Sequence, residues 1–102
     1  MFPNDFKRED SVSGVAEVAL ELHRQSGKLQ ITIDNVTTGT GAALLELKPA
    51  GSDEWRAVSG GSIDLSGASN DSGRTLLIEG SATRVRATSD QSSDEFSMVV
   101  GY

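Results

Sequence analysis

Few side chains in this chain are able to do chemistry, and which ones are missing is informative. There is no cysteine and a single histidine, His23. That removes thiolate zinc sites, iron–sulfur clusters, disulfides, cysteine nucleophiles and any site built on several imidazoles. His23 falls in alternation with Glu21 on what reads as the polar face of a strand. No Gly-x-Ser-x-Gly elbow occurs among the fourteen serines, and a hydrolytic triad needs a nucleophile within hydrogen-bond reach of its base. Gly39-Thr40-Gly41 opens like a dinucleotide-binding turn. Leu44 stands where the third glycine belongs, however, and a strand follows in place of a helix N-terminus. Asp90, Asp94 and Glu95 crowd one loop, and Asn70 with Asp71 sits in another. Calcium wants roughly six to eight oxygens in a defined loop, and this spacing is not an EF-hand. These stretches read as solvated acidic loops. The expectation is no catalytic residue, no metal and no cofactor.

The elements that carry these residues read as strands. Val, Ile, Leu and Phe make up 24 of the 102 residues, enough for a packed core; Ser and Thr add 21 and Gly 11, a mixture poor for helices. Ala16, Val18, Leu20 and Leu22 alternate with Glu17, Ala19, Glu21 and His23 from Val15 onward. A helix would place the apolar residues at i+3 and i+4 instead. Leu29, Ile31 and Ile33 resume the apolar face after Arg24–Lys28, which predicts a hairpin. Further strands are expected at Ala42–Lys48, Glu54–Val58, Ser62–Leu65, Thr75–Glu79, Thr83–Thr88 and Glu95–Tyr102. Thr75–Glu79, apolar on both faces, reads as an interior strand. Ser66–Arg74 reads as the longest loop.

The fold class is therefore all-β: an antiparallel β-sandwich or jelly roll of about eight strands. The expected core is Leu20, Leu22, Ile31, Ile33, Leu47, Ile78, Val85 and Phe96. Residues 1–10 hold five charges and two phenylalanines, with neither strand nor helix period. They read as an extended N-terminal arm ahead of a single domain at 11–102. Phe2 and Phe6 would then be exposed aromatics awaiting a neighbouring subunit. Arg84 and Arg86 project from one strand face, able to meet an acidic partner or to pair with Glu79 or Glu95 nearby. These four residues are the candidate partner contacts.

Charge and hydropathy narrow the partners. A net charge of −6 and an isoelectric point near 4.6 argue against nucleic acid, which requires a basic face. No apolar run reaches the roughly 20 residues of a membrane-spanning helix. The first ten residues lack the apolar centre of a signal peptide, so synthesis in the cytoplasm is expected.

One resemblance can be drawn. The runs GAALLELKPAGSDEWRAVSGGSIDL, TLLIEGSATRVRATSD and FSMVVGY, covering roughly Gly41 to Tyr102, resemble the small β-sandwich structural proteins of tailed bacteriophages. The matching features are a turn leading to Trp55-x-x-Val58, a Gly-containing bend, then Val85-Arg86-Ala87 before a closing strand. The resemblance implies a non-enzymatic virion component, decorating or cementing the capsid, or else serving in the neck, tail or fibre. It also implies an oligomer in contact with other virion proteins such as a major capsid protein; the exposed aromatics of the arm lead to the expectation of a homo-oligomer, trimer or dimer. A carbohydrate- or receptor-binding sandwich with Trp55 as a stacking platform is the alternative. An exposed Trp55 would favour that alternative, and a Trp55 buried between sheets would favour the virion role. A small enzyme is the third class.

Overall fold

Period-2 alternation of apolar and polar residues forces one face of each strand out of water, and two such faces close on each other. The computed structural model describes residues 5–66 and 74–102, and shows this arrangement as eight strands. They are β1 (Phe6–Asp10), β2 (Val15–Ala19), β3 (Lys28–Thr38), β4 (Ala42–Pro49), β5 (Arg56–Asp64), β6 (Arg74–Glu79), β7 (Ala82–Ser89) and β8 (Glu95–Gly101). One sheet has the order β1-β8-β3-β6 and the other β2-β7-β4-β5, and every pairing is antiparallel. β1 pairs β8, β2 pairs β7, β3 pairs β6 and β4 pairs β5. That nested set, rolled so that β3 also pairs β8 and β4 also pairs β7, is a jelly roll.

The expected all-β sandwich is therefore the observed fold, but several local readings need correction. The β2 to β3 connection is no hairpin. β2 ends at Ala19, a single 3-10 turn at Leu22–Arg24 follows, and the chain crosses to the opposite sheet. Leu22 sits in that crossing and is 43% exposed, so it is not core. Among the described residues, the only consecutive strands paired in one sheet are β4 and β5. Gly51 (φ +83°) supplies the left-handed residue of their turn, and the Ser52 amide donates to the Pro49 carbonyl at 2.9 Å. Two expected strands fuse into β5, because Gly60 (φ +70°) and a register shift opposite Leu44–Glu46 bulge the strand without ending it.

The N-terminal segment is the largest correction. Phe6–Asp10 does not stand outside the fold but pairs along its length with Ser97–Gly101 as the edge strand β1. All five residues are exposed, so no alternation betrays the strand; backbone hydrogen bonds and ion pairs hold it. Lys7 Nζ donates to the Ala19 carbonyl at 2.8 Å and Arg8 makes a forked contact with Asp34 at 3.1 Å. Among the described residues β6 is likewise an edge strand, not an interior one. The loop expected at Ser66–Arg74 lies largely outside the described residues, and Arg74 already belongs to β6.

Between the sheets, Leu29, Ile31, Ile33, Leu45, Ile63, Leu65, Val85, Met98 and Val100 are fully buried. Leu20 and Phe96 join them as expected, whereas Leu47 and Ile78 pack only at the rim. Each fully buried aliphatic side chain contributes about 1.5–3 kcal/mol of transfer free energy.

Candidate functional site

The polar chemistry of the molecule concentrates where β3–β4 and β7–β8 turn at one end of the sandwich. Ser89, which closes β7, and Asp94, which precedes β8, are both buried, and Asp94 is only 1% exposed. Its Oδ1 accepts from the Thr40 amide at 2.8 Å and the Thr40 hydroxyl at 3.0 Å. Its Oδ2 accepts from the Gly41 amide at 3.1 Å and the Ser89 hydroxyl at 2.6 Å. Burial pushes this carboxyl up, but the four donors together outweigh it and hold Asp94 below the usual carboxylate range. The Ser89 hydroxyl also accepts from the Gln91 amide at 3.0 Å.

Gly39-Thr40-Gly41 thus aims consecutive backbone amides at an anion, as phosphate-binding turns do. The anion is the chain's own Asp94. The glycines flanking Thr40 are explained by close approach. A Cβ on Gly39 would collide with the Leu65 carbonyl, and one on Gly41 with the Asp90 carboxylate. Asp90 is itself engaged, accepting from the Ala42 amide at 3.0 Å. The reading of Asp90, Asp94 and Glu95 as a solvated acidic loop is therefore corrected for Asp94. The three do not converge: Glu95 turns away to accept from the Thr37 hydroxyl at 3.3 Å. No group of three or more potential metal-ligating side chains occurs among the described residues. Asn70 and Asp71 lie outside those residues.

Beside this knot runs an open groove of about 770 Å³, floored by Phe96 and rimmed by Asp10, Ser11, Ser13, Asn35 and Thr37. Ser13 (φ 51°) and Asn35 (φ 50°) both adopt left-handed backbone there. Several polar groups of the groove are tied to one another. Ser97 donates to Asp10 at 2.6 Å, and the Ser11 hydroxyl accepts from the Phe96 amide at 3.0 Å. A hydroxyl held by a carboxylate is a strand staple; no base with a poised nucleophile emerges from these contacts.

Arg84 and Arg86 lie on the outer face of the β2-β7-β4-β5 sheet, each already paired within the chain. Arg84 binds Glu17 at 2.6 Å and Arg86 binds Glu46 at 3.0 Å, so the acidic partners are not Glu79 and Glu95. The Arg86 guanidinium also stacks on Trp55, 4.0 Å from its ring centre, with Lys48 at 5.2 Å. Trp55 is thus neither between the sheets nor an open platform: it is half-buried beneath two cations. Phe6 is 56% exposed on β1, and Phe2 lies outside the described residues. His23 is exposed in the 3-10 turn, 3.6 Å from Glu21. Sequence reasoning missed one prominent surface feature, Leu77 on the edge strand β6, 72% exposed.

No protein-family model matches the chain, and neither does any curated protein sequence. A solved structure, from work titled "Bacillus endospore appendages form a novel family of disulfide-linked pili", is similar over 96% of this chain and 84% of its own. The identity is 17% and the TM-score 0.41. A likeness at that level carries no functional argument.

Proposed function

We propose that this protein is a non-enzymatic structural module that works through protein–protein contacts, most specifically as an accessory component of a bacteriophage virion. Capsid decoration or cementing is the favoured position, with neck, tail or fibre as its near relative. The observation that carries the reading is where the reactive groups are spent. Asp94, Arg84 and Arg86, the charged side chains best placed to act on a ligand, are each consumed by partners in the same chain. Among the described residues, Phe6, Val12 and Leu77 are the most exposed large hydrophobic side chains, and each is open to a protein partner. Jelly rolls serve both viral shells and lectins, so the fold supports either class by analogy only. Trp55 weighs against the sugar-binding reading without favouring a virion. A sugar platform needs a free aromatic face, and Arg86 occupies this one.

On this reading Phe6 contacts a neighbouring subunit or the particle shell, and the chain is homo-oligomeric and virion-associated. Electron microscopy of particles from producing cells, labelled with an antibody to this chain, tests it. Regular labelling at symmetry-related positions is expected. Protein found only free in the lysate, with unlabelled particles, refutes the reading. A Phe6→Ser variant serves better than removal of the segment, because β1 is part of the sheet.

A further inference from the structure

We propose that β6 is an assembly edge, and that two copies of this chain join β6 to β6, antiparallel, into one continuous eight-stranded sheet. The inference rests on the structural-module reading and names its interface.

A jelly roll has four sheet edges, and they differ here. On one side of the sandwich, β1 presents four charged residues out of five, and Lys7 reaches across to the Ala19 carbonyl of β2, bridging the two sheets. Charged edges of this kind resist strand addition. On the other side, β5 is kinked by its bulge and by Gly60. The centre of β6, Thr75–Ile78, carries no such defence. The strand pairs with β3 in unbroken register from Lys28↔Glu79 to Ile33↔Arg74, without proline, lysine or bulge. Every second backbone N–H and C=O along an edge strand points away from its neighbour and suits only another strand. Between β5 and β6 the sandwich gapes, leaving a cleft of about 410 Å³ whose apolar walls include Leu47, Val58, Leu77 and Ile78.

The sequence of β6, Arg-Thr-Leu-Leu-Ile-Glu, identifies the occupant as a second copy. Met antiparallel by its own copy, β6 sets the Thr75 hydroxyl opposite the Glu79 carboxylate at each end, whereas a parallel copy would set Glu79 beside Glu79. Centring the dyad on Leu77 places Leu77 opposite Leu77, Leu76 opposite Ile78 and Thr75 opposite Glu79. Each pair then shares a face, as the pleat requires. Leu77, 72% exposed in the single chain, becomes the centre of a self-complementary contact, as a two-fold interface demands.

Sedimentation velocity on the full chain is expected to give twice the 10.7 kDa chain mass, and Leu77→Lys to give the monomer with unchanged circular dichroism. Because the chain has no cysteine, Leu77→Cys is a clean reporter. Residues paired across an antiparallel ladder lie within disulfide reach, so mild oxidation of the dilute variant should yield covalent dimer rapidly. Val12→Cys, at a site 74% exposed and remote from β6, should not. The proposal is overturned if Leu77→Cys crosslinks no faster than Val12→Cys, or if Leu77→Lys leaves the mass unchanged. An oligomer that survives Leu77→Lys sinks the β6 edge and leaves the homo-oligomeric reading standing. A wild-type chain that is monomeric at every concentration sinks both.

Discussion

Replacing Asp94 by asparagine isolates the charge of a buried carboxylate while keeping its shape. Two of its four donors are hydroxyls, Thr40 and Ser89, which can rotate to accept; the other two, the Thr40 and Gly41 amides, cannot. Whichever way the new amide turns, its NH₂ faces one of those backbone N–H groups and leaves it unpaired. An unsatisfied buried donor costs about 1–3 kcal/mol, and weakening the remaining charge-assisted bonds adds roughly another 1 kcal/mol. The expected loss is about 2–4 kcal/mol, a large share of the roughly 5–15 kcal/mol total for a domain. Asp94→Ala, which strands both amides, should cost more.

Urea unfolding followed by far-ultraviolet circular dichroism measures this, with an unchanged m-value confirming that the ensembles compared are the same. Asp90→Asn is the control, because that side chain is exposed and its replacement can still accept from the Ala42 amide. The pH profile adds an independent readout. A carboxyl held lower in the native state than in the unfolded chain contributes stability that is present above the unfolded value, about 3.9. It is lost as pH falls through the native one. Wild type should therefore lose stability below about pH 4 more steeply than Asp94→Asn. An Asp94→Asn protein within about 0.5 kcal/mol of wild type, with the same acid limb, would refute the reasoning.

Other outcomes follow from the same packing. Gly39→Ala should be more damaging than Gly41→Ala in thermal melts, since the first collides with backbone and the second with a movable side-chain end. Arg86→Ala should cost about 1–2 kcal/mol and red-shift the emission of Trp55, the only tryptophan, by uncovering it. Arg84→Ala, whose ion pair is half in solvent, should cost under about 1 kcal/mol in the same unfolding assay. Leu45→Ala should lose about 2–5 kcal/mol and Leu47→Ala clearly less, because only Leu45 is fully enclosed. Equal losses would place the rim of the core incorrectly.

Alternation in the sequence reports which face of a strand is wet, and it found most strands here for that reason. It says nothing of which strand lies alongside, so Leu20 and Leu29 read as one hairpin although they belong to opposite sheets. Nor can it see a strand wet on both faces, which is why Phe6–Asp10 read as an arm. The Asp94 knot was equally hidden. Its halves lie 54 residues apart, and an acid in a serine-rich loop carries no mark of burial; the only trace was the unexplained pair of glycines around Thr40. The failed reading of Thr75–Glu79 has a different cause. A strand apolar on both faces is the signature of an interior position, and within one chain β6 is at the edge with Leu77 in water. Two copies joined through β6 would make the strand interior after all, with β3 on one flank and its own image on the other. In such a dimer the pattern would describe the assembled sheet, with Leu77 at its centre.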